Sequence, residues 1–354
     1  MFDMFQKCQV QHDRKLPFVL YRKPNANTVL ALLQEDDALY KACNYVERGF
    51  VFAPFIGPDI VLIPEEKCEV IIMPFEPLGV VSNNISEIST ENPMAKKKHI
   101  DLVEKAIASI KNGQLSKVVL SRKETVALPD FDLFAVFQKL ASTYPSAFAY
   151  CFYHPKVGLW LGAFSEQLVF VKGENFRTMA VAGTQLYDDT ASVFWGDKEI
   201  NEQQVVTDFL VSNLSRVSRE IVVSNPYTLR AGNLLHIKTD VEGKFKEKMQ
   251  LNNLLSILHP TPAVCGLPRN RSKDFITENE GYNRSFYSGF LGELNFDFDT
   301  QENGSDLYVN LRCMQIEENC AHIYVGGGIT IDSNAENEWL ETLNKAQTIK
   351  KILN

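Results

Sequence analysis

No C-x-x-C pair, no G-x-G-x-x-G fingerprint and no Walker A sequence occurs in this chain. Its seven cysteines (Cys8, Cys43, Cys68, Cys151, Cys265, Cys313, Cys320) are scattered singly, several inside apolar, strand-like runs where a free thiol acts as a small hydrophobe. That usage fits a reducing cytoplasm. The missing glycine fingerprints argue against the common nucleotide cradles. Long apolar runs are absent too: nothing approaches the roughly 18 residues of a membrane span, and MFDMFQKCQVQHDRK lacks the apolar stretch of a signal peptide. Positive charge is in deficit, with 36 Lys and Arg against 44 Asp and Glu and a net charge of −8. Nucleic-acid affinity rests on clustered Lys and Arg, so this balance points away from it. Finally, no two of the six histidines have metal-ligand spacing, and no hydrolase triad can be inferred. The expectation is a soluble cytoplasmic protein with no nucleic-acid or membrane partner.

What the chain does have is bulk. Its 354 residues, 45% of them hydrophobic, can bury a large core, and no low-complexity linker divides them. Residues 82–98 are polar and read as an exposed connection into a helix that starts near Asn92-Pro93 and stops at Asn112-Gly113. KVVLSRKETV (117–126), 146–155, 157–164, 166–173 and 176–184 are rich in β-branched and aromatic residues and predict strands. A helix is predicted from about Lys198 to Glu220. LLHIKTDVEG reads as a strand running into a turn, and NNLLSILHPTPAVCG as a short helix entering a Pro-rich loop. YSGFLGELN, DLYVNLRCMQI and AHIYVGGGIT read as strands, and AENEWLETLNKAQTIKKIL as a final helix. Consecutive strands with helices interspersed indicate an α+β protein with large antiparallel sheets.

Two Glu-x-x-Glu pairs, Glu199/Glu202 and Glu338/Glu341, each place two carboxylates on one helical face. Either pair alone could be solvated surface. Each, however, lies near a helix N-terminus beside aromatic or apolar residues, and carboxylates without a His or Cys cluster favour Mg²⁺ over zinc. Lys345 shares the face of Glu338 and Glu341, either as an ordinary i,i+4 partner or as a cation for an anionic ligand. Arg312, in a run apolar on both faces, needs an anionic partner, from the protein or from a substrate carboxylate. Gly326-Gly327-Gly328 either marks a bulge or lets backbone N–H groups approach an anion. Glu166 interrupts an apolar strand pair, where such surroundings raise a carboxyl pKa. Lys117 opens a strand and would pass for a surface residue. His236 and His259 lie near these elements.

Together, KVVLSR (117–122), LGAFSEQL (161–168), VAGT (181–184), KEINEQQVV (198–206), LHPTPAVCG (258–266), ENEGYNRSFYSGFLG (278–292), LRC (311–313), YVGGGI (324–329) and ENEWLETLNK (336–345) resemble, in order, the chorismate-utilising enzyme family. The resemblance implies one large chorismate-binding domain with two mostly antiparallel sheets packed as a sandwich and helices outside. Residues 96–354 correspond to the catalytic core and 1–95 to a divergent N-terminal part of the same fold. It further implies Glu202 and Glu341 as direct Mg²⁺ ligands, with Glu199 and Glu338 reaching the ion through water. Thr184, His259, Ala263, Tyr287, Leu311, Arg312, Tyr324, Gly326, Gly328 and Lys345 correspond to substrate-binding positions. Ala263 followed by Val264 resembles the isochorismate-forming branch, whose leading lysine, here Lys117, is the general base, with Glu166 the acid. Salicylate-forming and aminating relatives usually carry Thr where Ala263 stands, and the aminating ones need a glutaminase, which is not expected here. A silent binding module is the remaining alternative, disfavoured by the presence of Lys117, Glu166 and both glutamate pairs. Two departures stand out: Gln203 replaces a usual His, and Phe164-Ser165 replaces Ser-Pro. Menaquinone synthesis is the expected destination of the product.

Overall fold

The computed structural model describes residues 2–79, 92–187, 193–231, 234–247 and 249–353. Two antiparallel sheets dominate these residues. The nine-stranded sheet runs, edge to edge, Gly266–Leu267, Lys117–Ala127, Cys320–Ile329, Cys313–Glu317, Gly158–Phe164, Phe148–His154, Phe18–Arg22, Thr28–Gln34 and Cys68–Pro74. The ten-stranded sheet is built around Asn175–Leu186, Leu234–Phe245, Gln167–Lys172, Ser305–Val309, Phe290–Leu294 and Gly49–Ala53. Strands from the first 74 residues thus pair within both sheets.

Side-chain alternation explains why the sheets stack. In Phe148–His154 the aromatic set Phe148, Tyr150 and Phe152 faces one way and the smaller Ala149 and Cys151 the other. The aromatic set meets the opposite sheet, with the Phe148 and Tyr308 rings 4.6 Å apart, while Ala149 and Cys151 pack in a separate core with the helix Leu133–Thr143. Small residues there let a helix approach. A third core joins the outer face of the ten-stranded sheet to the helices Asp197–Leu214 and Leu251–Leu258. Burial on both faces accounts for strands that read as near-continuous apolar runs.

The helix expected after Asn92 runs Pro93–Lys111. The Asn92 side chain accepts hydrogen bonds from the Met94 and Ala95 amides at 3.1 Å, and Gly113, at φ 70°, follows its end. The exposed connection expected over 82–98 lies, up to residue 91, outside the described residues. Four expectations change. The helix predicted to reach Glu220 ends at Leu214, and the β-branched stretch Ser218–Val223 becomes a strand beside Leu234–Phe245. Leu234–Phe245 continues through Gly243 without a turn. Three helices were not anticipated: Phe2–Asp13, Leu133–Thr143, capped by Asp132, and Arg269–Asn279, which buries only Ser272 and Ile276 and so carries little periodic signal. Most consequentially, DLYVNLRCMQI is two strands. Ser305–Val309 belongs to one sheet and Cys313–Glu317 to the other.

Among the described residues, no helix is long and apolar enough to cross a membrane. All seven cysteines are free, and Cys8, Cys151, Cys265 and Cys313 are buried.

Candidate active site

Two of the chain's passages between the sheets lie side by side. Residues 310–312 make one crossing, and 165–166 make the other, between Gly158–Phe164 and Gln167–Lys172. The crossings are tied together by Ala163 N–H to Arg312 O (3.2 Å) and Val309 N–H to Glu166 O (2.9 Å). Asn310, fully buried, locks its crossing by donating to Phe286 O (2.9 Å) and accepting from Tyr150 Oη (2.8 Å). A residue leaving a strand ladder no longer alternates between core and solvent, so both Glu166 and Arg312 can line a cavity at the sandwich end.

Burial pushes the Glu166 carboxyl up to about 7, against the opposing charges of Arg312 and Lys117. It is only partly covered by area because it borders the cavity, yet protein encloses it. Arg312 forms no salt bridge among the described residues. Burial lowers its pKa, and the phenols of Tyr287 and Tyr144 and the carboxylates of Glu341 and Glu166 oppose that from further off. Of the two partners open to it from sequence, a protein carboxylate in direct contact is therefore the one not found. The Phe164-Ser165 departure is accommodated by Phe164 joining the aromatic core beside Phe148 and Tyr150.

Across the cavity, strands Lys117–Ala127 and Cys320–Ile329 pair so that Gly328 opposes Val119 and Gly326 opposes Ser121. The glycines make room for carboxylates. A Cβ at Gly328 would stand 2.2 Å from Glu202 Oε1, and one at Gly327 would stand 3.3 Å from Glu338 Oε2 and 3.5 Å from Glu341 Oε1. Glu202 comes from the helix Asp197–Leu214, and Glu338 and Glu341 from Ala335–Leu353, so two helices and a glycine strand converge. Each carboxylate meets a lysine: Glu202 with Lys117 (2.8 Å), Glu338 with Lys198 (2.8 Å), and Glu341 with Lys345, which also donates to Gly326 O (2.9 Å). Burial raises the pKa of Lys345's partner Glu341, but the Lys345 ammonium, together with the charges of Lys198 and Arg312, outweighs it and the net shift is downward. Glu338 is shifted upward by burial and by the charge of Glu341.

Glu338 Oε2 is buried without a hydrogen-bond partner, an unsatisfied acceptor that a cation would complete. Glu199 instead turns back toward Gly183 and Gly196. Among the described residues no three such groups stand at coordinating spacing, and three of the carboxylates are each paired with a lysine. Oxygen-only donors, one of them orphaned, fit a hard divalent cation.

The cavity gathers Glu166, Thr184, Glu202, Ala263, Tyr287, Leu311, Arg312, Gly326, Gly328, Glu341 and Lys345 into its lining. Lys117, 2% exposed, stands one layer behind Glu202 and Gly328. Two predicted substrate contacts sit elsewhere. Tyr324 is stacked between Tyr287 and Trp160 in the aromatic core, and His259 packs edge-on to Phe290 while its Nε2 meets Phe55 O at 3.3 Å. Gln203 faces away, donating to Thr207 and Thr239 Oγ1 at 2.8 Å. The lining also includes His236, Tyr144 and Thr348, not among the predicted site residues. Burial and the Arg312 charge push His236 down to about 3, so the ring is neutral and its Nδ1–H donates to Gly183 O at 2.8 Å. Thr348 was within reach of the sequence, three residues beyond Lys345 on the same helical face.

The family described as "Chorismate binding enzyme" matches residues 75–354. Anthranilate synthase component 1 of Lactococcus lactis subsp. lactis (strain IL1403) is 28% identical over 289 residues, covering 78% of this chain and 62% of that protein. Isochorismate synthase EntC of Escherichia coli (strain K12) is 30% identical over 263 residues, covering 71% of this chain and 66% of that protein. The chain thus spans less than two thirds of the length of either relative. A solved structure from Bacillus anthracis, DhbC, described as a candidate 2,3-dihydroxybenzoate-specific isochorismate synthase, superposes with a TM-score of 0.79. At 22% identity over 98% of both chains, that likeness establishes a shared fold.

Proposed function

The chain belongs to the chorismate-binding enzyme family, and from that premise we propose that it interconverts chorismate and isochorismate with Mg²⁺. The observation that carries the reading is Arg312, a guanidinium with no salt bridge among the described residues, facing the same cavity as a carboxyl with a pKa near 7 and a set of clustered glutamates. A dianionic substrate suits such a cavity: one carboxylate for Arg312 and Lys345, the other for a cation.

In this proposal Glu202 and Glu341 would hold the ion directly, with Glu199 and Glu338 supporting it through water. An ion held there would supply the positive charge that neutralises the ring carboxylate. Lys117 Nζ takes a proton from water, whose oxygen bonds to C2 as the ring double bonds shift. The C4–O bond breaks, and Glu166 delivers its proton to the departing hydroxyl, which leaves as water. Serving as base requires Lys117 to give up its ion pair with Glu202. A carboxyl titrating near 7 is protonated often enough to donate and ionised often enough to run the reverse reaction. Ala263 and Val264 line the wall at the position that supports water addition over amination.

Purified protein incubated with chorismate and Mg²⁺, without ammonia, is expected to yield a chorismate–isochorismate mixture by NMR, approached from either side. Salicylate plus pyruvate would identify a salicylate-forming enzyme instead, and unchanged chorismate would sink the proposal. Menaquinone synthesis is the proposed consumer of the product. A deletion strain that loses menaquinone but keeps 2,3-dihydroxybenzoate is the expected phenotype, and the reverse pattern assigns the other branch.

A further inference from the structure

A buried ion pair beneath the cavity takes no part in the chemistry described so far. Glu280 caps the helix Arg269–Asn279, and Arg284 follows one turn later; both are 2% exposed. Arg284 Nε donates to Glu280 Oε2 at 2.8 Å and Nη2 to Glu280 Oε1 at 2.5 Å. The same guanidinium reaches two other segments, through Nη2 to Val119 O (2.7 Å) and Nη1 to Val264 O (3.0 Å). Glu280 Oε1 in turn accepts from the Ser121 amide (2.7 Å) and hydroxyl (2.9 Å). The guanidinium carbon also sits 4.5 Å from the centre of the Phe55 ring, which closes the pocket around it.

These contacts join the strand that carries Lys117, held at Val119 and Ser121, to the loop that carries Ala263, held at Val264. Val119 and Val264 both line the cavity. A buried ion pair adds little net stability over apolar residues of equal volume, because desolvation offsets attraction, but a planar fork with several fixed acceptors is geometrically demanding. We propose that Glu280 and Arg284 are positioning residues that set the Lys117 strand against the Ala263–Val264 wall. The inference rests on the isochorismate-forming reading, which is what makes the placement of Lys117 matter.

Arg312 and Lys345, on other elements, hold the substrate, so displacing the strand should spare binding and slow chemistry. A shift of about 1 Å costs on the order of 100-fold in rate. The test is steady-state kinetics of the full chain with chorismate and Mg²⁺, run below the melting transition of each variant. Arg284→Lys keeps the charge but cannot hold the carboxylate and both carbonyls at once. Glu280→Gln keeps the shape and loses the charge. Both are expected to lower kcat about 100-fold with KM within about threefold of wild type. A folded Arg284→Lys with kcat within about threefold of wild type, or a loss confined to KM, overturns the proposal. If Arg284→Lys does not fold, Glu280→Gln decides by the same criteria, and unfolding of both assigns the pair a plain stabilising role. An inactive wild type overturns the functional reading itself, whereas an active wild type with unaffected variants overturns only this inference.

Discussion

At Glu166 one physical cause bears on both function and stability. Its carboxyl titrates near 7 when folded against 4.5 as the ordinary value, because burial disfavours the charge. A group whose folded pKa is raised stabilises the fold below its unfolded pKa, and that contribution is lost as pH rises through the folded one, here between 4.5 and about 7. Above pH 7 the folded protein therefore carries a buried charge that costs up to roughly 3 kcal/mol. Glu166→Gln is expected to abolish turnover, by at least about 1000-fold, and yet to melt higher than wild type at pH 8, with little difference at pH 4.5. Thermal melts at the two pH values check this, and a variant destabilised at pH 8 would contradict it. Arg312 poses the complementary case: sequence showed that it needed an anion, and its lack of a protein salt bridge among the described residues leaves that need to a ligand.

At the scale of the element, the strand Cys320–Ile329 does its work by lacking side chains at three successive positions. The three are not equivalent. A Cβ at Gly326 would meet Leu120 O at 2.6 Å and Tyr287 Oη at 2.8 Å, backbone and a packed ring that cannot yield. A Cβ at Gly328 would meet the end of the flexible Glu202 side chain at 2.2 Å. Gly326→Ala is therefore expected to destabilise the protein by about 1–3 kcal/mol. Gly328→Ala should cost under about 1 kcal/mol yet lower kcat/KM by on the order of 10- to 100-fold, by displacing Glu202. Chemical unfolding and chorismate kinetics on both variants separate the two effects, and equal stability losses would show the argument wrong. The helix Ala335–Leu353 is the counterpart: its 3.6-residue period brings Glu338, Glu341, Lys345 and Thr348 along one side, and only the last escaped the sequence reading.

For the molecule as a whole, two sets of buried groups oppose each other in acid. Burial holds His99 at about 4, His236 at about 3 and His259 at about 4, all below the ordinary 6.5, so the unfolded chain binds protons first and stability falls as pH drops below 6.5. Glu166 and Glu293, both raised by burial to about 7 from 4.5, act in the opposite sense between those limits. Shifts at Asp306 and Glu338 run with the glutamates, and those at Glu124, Asp297 and Glu341 with the histidines. Three histidines against two glutamates leave about one proton taken up by the unfolded chain, so stability is expected to fall only gently, by on the order of 1 kcal/mol per pH unit, from pH 6.5 to 4.5. Below that, Glu166 and Glu293 are protonated in both states, while Glu124, Asp297 and Glu341 still act with the histidines down to about pH 4, so stability falls more steeply. Denaturant unfolding at half-unit steps from pH 4 to 8 tests this, and a steep loss beginning at 6.5 would refute the cancellation.

The same two scales divide what was legible. Local pattern determined most strands from Lys117 onward, the Asn92 cap, the carboxylate pairs and the lysine on their face, because period and capping are properties of a few adjacent residues. The motif series identified the family, which the match over residues 75–354 bears out. Tertiary structure alone decided where the chain changes sheets. DLYVNLRCMQI reads as one uninterrupted apolar run, and the break expected between 164 and 166 carries no sign that it passes from one sheet to the other, since burial on both faces erases alternation and hides a crossing. It alone also placed Tyr324 and His259 in aromatic packing, and joined Val119 to Val264, 145 positions further on, through Arg284. Contacts at such separations are fixed by how the layers stack, and no local period records them.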